Sequence, residues 1–237
     1  MINASELPED IVHALDFLDH LRGSSPVHLT AIIPDGWVVN RTFHAGERDA
    51  VVRFIVENNG AKNLYYHVNP LKDGVENVKA KKDMIAFAEF AQVDIDEAEA
   101  FDKLRAFPIP PTAVVASGGG GANALWRFKE PVADLDLVEK INRWLVEQLD
   151  GDRAATDVSR ILRLPGTKNL PTKKKREKGR KVAWAKVQEE LTDWTRVYSV
   201  SDFGAVTETE TTTQVAVLMP GQLRPKAKSR SKTCQRV

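Results

Sequence analysis

The stretch that most constrains this chain is Phe90-Ala91-Gln92-Val93-Asp94-Ile95-Asp96, an apolar run that turns acidic at its far end. Side chains of a strand alternate faces, so Asp94 and Asp96 project to one side while Val93 and Ile95 bury on the other. Such a segment belongs in a sheet with a covered face, and it holds two carboxylates side by side on rigid backbone. A pair of that kind suits a divalent cation, which prefers hard oxygen ligands. Glu97, Glu99 and Asp102 follow at once. Taken alone, the pair reads first as a strand that runs out into a solvated acidic helix start, and only second as a cation site.

Hydrophobic periodicity predicts helices over 7–22, 47–58, 97–107 and 135–149. It predicts strands over 27–33, 37–40, 63–69, 84–96, 112–116, 123–128 and 181–187. Residues 157–162 read as a short helix or turn and 168–180 as a basic loop; His67 reads as a packed strand histidine rather than a ligand. The elements lack a strict βαβ rhythm and tight loops join two strand pairs. This predicts an α+β fold with a largely antiparallel or mixed sheet. From about 206 to 237 the chain turns to Thr/Glu repeats and a basic polar end, the pattern of a flexible tail.

A net charge of +1 would argue against a polyanionic partner if the charges were evenly spread. They are not: acidic residues concentrate before about residue 160, while 160–181 and 224–236 are basic. Such asymmetry points to nucleic acid more strongly than the sum does. The single cysteine, Cys234, excludes a disulfide framework and a zinc cluster and suits a reducing cytoplasm. No basic-then-apolar leader opens the chain and no apolar run approaches the ~18 residues that cross a bilayer, so a cytoplasmic protein without a membrane partner is expected.

Two further stretches carry chemistry. In Ser117-Gly118-Gly119-Gly120-Gly121-Ala122-Asn123-Ala124-Leu125-Trp126, four glycines stand between two strands. Backbone N–H groups there can approach an anion and form a nest for a triphosphate. The stretch lacks the Gly-Lys-Ser/Thr of a Walker loop, and a plain hairpin loop is the competing reading. In Asp157-Val158-Ser159-Arg160-Ile161-Leu162-Arg163-Leu164-Pro165-Gly166-Thr167-Lys168-Asn169, an aspartate is followed by two arginines. It offers a further metal ligand and guanidinium forks for phosphate, or else a structural ion-pair network. The run Lys173-Lys174-Lys175-Arg176 that follows is a solvated charged loop taken alone, and a track for a polynucleotide backbone beside a phosphate-handling site.

The ordered set, a strand ending Val-Asp-Ile-Asp, then Ser-Gly-Gly-Gly with Trp126 a few residues on, then Asp…Arg-Leu-Pro-Gly-Thr-Lys-Asn, resembles the three motifs of the archaeo-eukaryotic primase superfamily. It is most similar to RepB-like phage and plasmid primase and primase-polymerase domains, over about residues 25–190. The resemblance implies a modified RRM-like catalytic sheet in a core of about 81–205, with an N-terminal α/β module of about 1–80. It implies DNA primase or primase-polymerase activity, a nucleotidyl transfer on a single-stranded DNA template in the replication of a phage, plasmid or other mobile element. It further implies a two-metal Mg2+ or Mn2+ site on Asp94, Asp96 and Asp157, which would be the catalytic carboxylates. Ser117, Gly118, Gly119, Gly120, Asn123, Arg160 and Arg163 would bind the NTP or dNTP. Asn169, Lys173, Lys174, Lys175, Arg176 and Arg180 would contact DNA, and a replicative helicase is an expected partner. Asn123 occupies the place where many relatives carry a histidine, and asparagine brings no positive charge. A non-catalytic module binding single-stranded DNA or an origin, and a metal-dependent nuclease, are the alternatives.

Overall fold

Pairing and burial organise the chain into two antiparallel sheets, seen in a computed structural model that describes residues 7–97 and 99–204. The expected tail at 206–237 lies outside the described residues. The first sheet has the order β2-β1-β3-β7 and the second β4-β6-β5-β9-β8. The strands of the first are β1 (Val27–Ile32), β2 (Val38–Phe43), β3 (Asn63–His67) and β7 (Ile161–Arg163). Those of the second are β4 (Ala88–Ile95), β5 (Ala113–Ala116), β6 (Ala122–Val132), β8 (Thr167–Asn169) and β9 (Ala183–Val187). With helices α1 (Glu9–Arg22), α2 (Arg48–Asn58), α3 (Ala100–Ala106), α4 (Leu135–Leu149) and α5 (Lys173–Glu177), this is an α+β fold.

The alternation of β4 decides the layering. Ala91, Val93 and Ile95 point into a core shared with α3 and α4. There α4 buries Leu137, Ile141, Leu145 and Leu149, one turn apart, and starts at Asp134, whose carboxylate accepts from Leu137 N at 3.0 Å. The opposite face of the second sheet, through Phe90, Ala113, Val115 and Leu125, packs in a second core with α1, α2 and the first sheet. Along that face β4 passes from Phe90 through Gln92 to Asp94, so apolar packing gives way to a polar mouth at the strand end.

Two local expectations change. Residues 161–163 are β7, which pairs with β3 through Tyr65↔Arg163 and Tyr66↔Leu162. A buried Leu162 and this cross-strand pairing outweigh any local helical tendency, and the pairing carries residues from the middle of the chain into the first sheet. The basic loop is also more ordered than expected, containing β8 and the short α5, whose Thr172 hydroxyl accepts from Lys175 N at 3.4 Å. Pro165-Gly166 turns between β7 and β8, and a Cβ on Gly166 would stand 2.1 Å from Asp10 O of α1. Only glycine allows that close approach, which seats α1 on the turn. The sheets are further joined by Arg22, buried at the end of α1, which pairs with Glu89 and donates to the carbonyls of His67 (3.1 Å) and Val68 (2.6 Å). Among the described residues no helix is long and apolar enough to cross a membrane.

Candidate active site

Asp94 stands at the polar mouth, half-buried, two residues before the exposed Asp96 that follows β4. Opposite it in register on β6 is Asn123, whose Nδ2 donates to Asp94 Oδ1 at 2.6 Å. The buried Asn123 Oδ1 has no partner. From the turn after α4, Asp152 N donates to Asp94 O at 2.7 Å. Burial pushes the Asp94 carboxyl up to about 6; Asp96 adds to this, Arg160 opposes it, Asp152 adds again, and the Asn123 hydrogen bond opposes it. Asp94 is thus a carboxylate with too little positive charge around it. The carboxylates of Asp94 and its neighbour Asp96 offer only oxygen, and a hard divalent cation would relieve their repulsion, so the two would suit Mg2+ or Mn2+.

Arg160 lies between two carboxylates, 3.5 Å from Asp152 and 3.6 Å from Asp157. Asp157 also accepts from its neighbour Ser159 Oγ at 2.8 Å. Among the described residues no three His, Cys, Asp or Glu side chains gather as a metal cage, so Asp157 is not drawn together with Asp94 and Asp96. Asp152, which the sequence reading missed, is the second acidic neighbour that acts on Asp94. Its only sequence signal is an Asp after Gly151 at the end of a helix.

The glycine loop closes on itself: Ser117 N and Ser117 Oγ reach Gly121 O at 3.0 and 3.1 Å, and Gly119 N donates to Ser117 Oγ at 3.3 Å. A Cβ on Gly121 would stand 2.1 Å from Ile95 O and 2.9 Å from Asp96 Cα, so the loop lies directly on the backbone that carries the acidic pair. Arg180 enters from the basic segment, its Nη1 2.9 Å from where a Gly119 Cβ would be. Asn169 holds the other side of the loop, donating to Ser117 O at 2.7 Å.

Arg163 is 8% exposed. Its guanidinium stacks 4.3 Å from the Tyr65 ring centre and donates from Nη2 to Tyr65 Oη (2.9 Å) and Asn169 Oδ1 (3.1 Å). Burial lowers its pKa, with Tyr65 and Asp94 acting the other way. Its Nη1 is buried without a partner. The expected nucleotide set is thus brought around one mouth, with Arg163 set back behind Asn169. The expected DNA set divides: Asn169 and Arg180 border the glycine loop, while Lys173, Lys174, Lys175 and Arg176 belong to α5.

The family model of the RepB DNA-primase N-terminal domain matches residues 41–198. Among solved structures, the primase RepB′ superposes with a TM-score of 0.62 at 16% identity, covering 87% of this chain and 65% of its own, so this chain spans under two thirds of that protein. The catalytic domain of RepB′ in complex with initiator DNA gives a TM-score of 0.61 at 17% identity over 88% of this chain and 99% of that domain. The primase-polymerase AEP domain of cyanophage S-2L gives 0.57 at 16% identity over 81% and 94%. At these identities the likeness is one of fold. No curated protein matches.

Proposed function

Because this chain belongs to the RepB DNA-primase N-terminal domain family, we propose that it makes primers, joining NTPs or dNTPs on a single-stranded DNA template by nucleotidyl transfer in the replication of a phage, plasmid or other mobile element. The observation that carries the reading is the acidic pair Asp94 and Asp96 with the Ser117–Gly121 loop lying on its backbone. A pair of carboxylates beside an anion-binding loop is what transfer from a triphosphate requires. In that reaction a 3′-hydroxyl oxygen bonds to the α-phosphorus, the bond from that phosphorus to the α–β bridging oxygen breaks, the hydroxyl proton passes to water, and pyrophosphate departs with the bonding electrons.

Asp94 and Asp96 would hold the divalent cation. When bound there, Mg2+ or Mn2+ supplies neutralisation of the triphosphate and activation of the attacking hydroxyl. Asp157 is the third carboxylate of this proposal, and its pairing with Arg160 would have to open for it to join. Asn123 and Asp152 orient Asp94 from two sides. The N–H groups of the glycine loop that are not spent on Ser117 Oγ and Gly121 O, together with the Arg180 guanidinium, would receive the phosphates. Arg163 acts from behind, fixing Asn169 against the loop.

Incubation with a single-stranded template, labelled nucleotides and Mn2+ or Mg2+ tests this reading. Wild type makes primers and the Asp94→Asn, Asp96→Asn double variant makes none; equal synthesis by both overturns the site. Template that is bound and left unextended favours the non-catalytic binding module, for which the loss of a histidine at Asn123 is the motive. Shortened template favours a nuclease.

A further inference from the structure

The most exposed large apolar side chain among the described residues stands between two strands of the first sheet, while the acidic pair belongs to the second. Trp37 is 83% exposed at the tip of the β1–β2 hairpin, with exposed Ile33 and Val38 beside it. The tip is a built turn. Gly36 N donates to Ile33 O at 2.9 Å, Ile33 N donates to Trp37 O at 3.0 Å, and Asp35 takes φ 62. It is also tied to the basic segment, because Lys173 N at the start of α5 donates to Asp35 Oδ2 at 2.8 Å. From Lys173 to Lys181 the chain carries seven cations and one carboxylate, and among the described residues none of these cations is in an ion pair.

An indole left in water and a cluster of unneutralised cations are each unfavourable alone. One ligand satisfies both: a strand of phosphates whose bases present free π-faces. We propose that Trp37 stacks on an unpaired base of single-stranded DNA whose backbone runs along Lys173, Lys174 and Arg176. The choice of DNA rests on the primase reading, while the contact itself does not involve the acidic pair. This makes the hairpin tip a second grip on the template, outside the site of chemistry.

Binding of fluorescein-labelled oligo(dT), and of an abasic oligomer of equal length, is measured by anisotropy without nucleotide or divalent metal. Trp37→Ala weakens oligo(dT) about 5- to 100-fold and leaves the abasic oligomer unchanged, while Trp37→Phe keeps most of the affinity. Unaltered oligo(dT) binding by Trp37→Ala overturns the proposal. So does an equal loss on the abasic oligomer, or a wild-type dimer in sedimentation that Trp37→Ala converts to monomer, which would make the tip a self-association surface. Because no synthesis is measured, a protein that binds in this way and makes no primers sinks the primase reading alone.

Discussion

Asn123 and Asp94 face each other across the β4–β6 pair, and the Asn123 Nδ2 donates to Asp94 Oδ1 at 2.6 Å. At the place where the resemblance puts a histidine, Asn123 therefore serves Asp94 from the neighbouring strand. Its amide offsets part of the burial and repulsion that raise the Asp94 carboxyl.

Asn123→Ala removes a hydrogen bond to a carboxylate, and such bonds contribute about 1.5–3 kcal/mol. The same change removes the unpartnered, buried Asn123 Oδ1, which brings the expected net loss down to about 1 kcal/mol. Urea denaturation measures it. Primer synthesis falls about tenfold because Asp94 loses the group that orients it. Wild-type activity in a folded Asn123→Ala protein would refute the orienting role.

Gly121→Ala places a methyl group 2.1 Å from Ile95 O and 2.9 Å from Asp96 Cα. Both are backbone atoms, so the loop and the strand end must separate, at about 1–3 kcal/mol. The displacement falls on the acidic pair and the anion loop together, so synthesis drops at least about tenfold. Gly46→Ala, at a positive φ with open space around it, is the control for backbone strain without a steric contact. If the two variants lose activity equally, the contact between loop and strand is not what positions the site.

His28 and His67 sit side by side on the first sheet, ring centres 6.1 Å apart. Burial lowers His67 to about 3, helped by His28 and Arg22, and lowers His28 to about 4, helped by Arg22 and His44. In the unfolded chain each takes a proton near the ordinary 6.5. Between 6.5 and about 4 the unfolded state binds protons that the folded state refuses, so stability falls as pH falls. The slope is about 1.4 kcal/mol per pH unit for each histidine. Asp94, raised to about 6, pulls the other way below that pH, one group against two, so the net change stays a loss. Urea melts at pH 7, 6 and 5 read this directly, and His67→Gln shallows the slope; equal stability at pH 7 and 5 is the outcome that rejects it.

Much of the fold is legible locally. The period-2 run of β4 places Val93 and Ile95 in the core and turns Asp94 away from it, because alternation needs no partner to be read. The helical spacing of Leu137, Ile141, Leu145 and Leu149 likewise announces α4. The basic segment is evident from charge alone. Strands of three residues are not: β7 and β8 are shorter than the window in which periodicity can be recognised.

The sequence by itself determined the order of the longer elements, the acidic strand end, the glycine loop and the basic segment, since each is a property of neighbours in the chain. Only the tertiary structure decided what those parts touch. Asn123 meets Asp94 because β6 pairs with β4 in one register, and a slip of one residue would turn it to the other face. Arg163 is drawn behind Tyr65 and Asn169 because β7 joins β3, 98 residues away from Tyr65 in the chain. Asp152 reaches Asp94 because the turn after α4 returns to β4, and the hairpin tip that carries Trp37 is tied to the start of α5 because Asp35 accepts from Lys173 N across 138 residues. Contacts of such separation depend on how sheets pair and pack, and no local pattern encodes them.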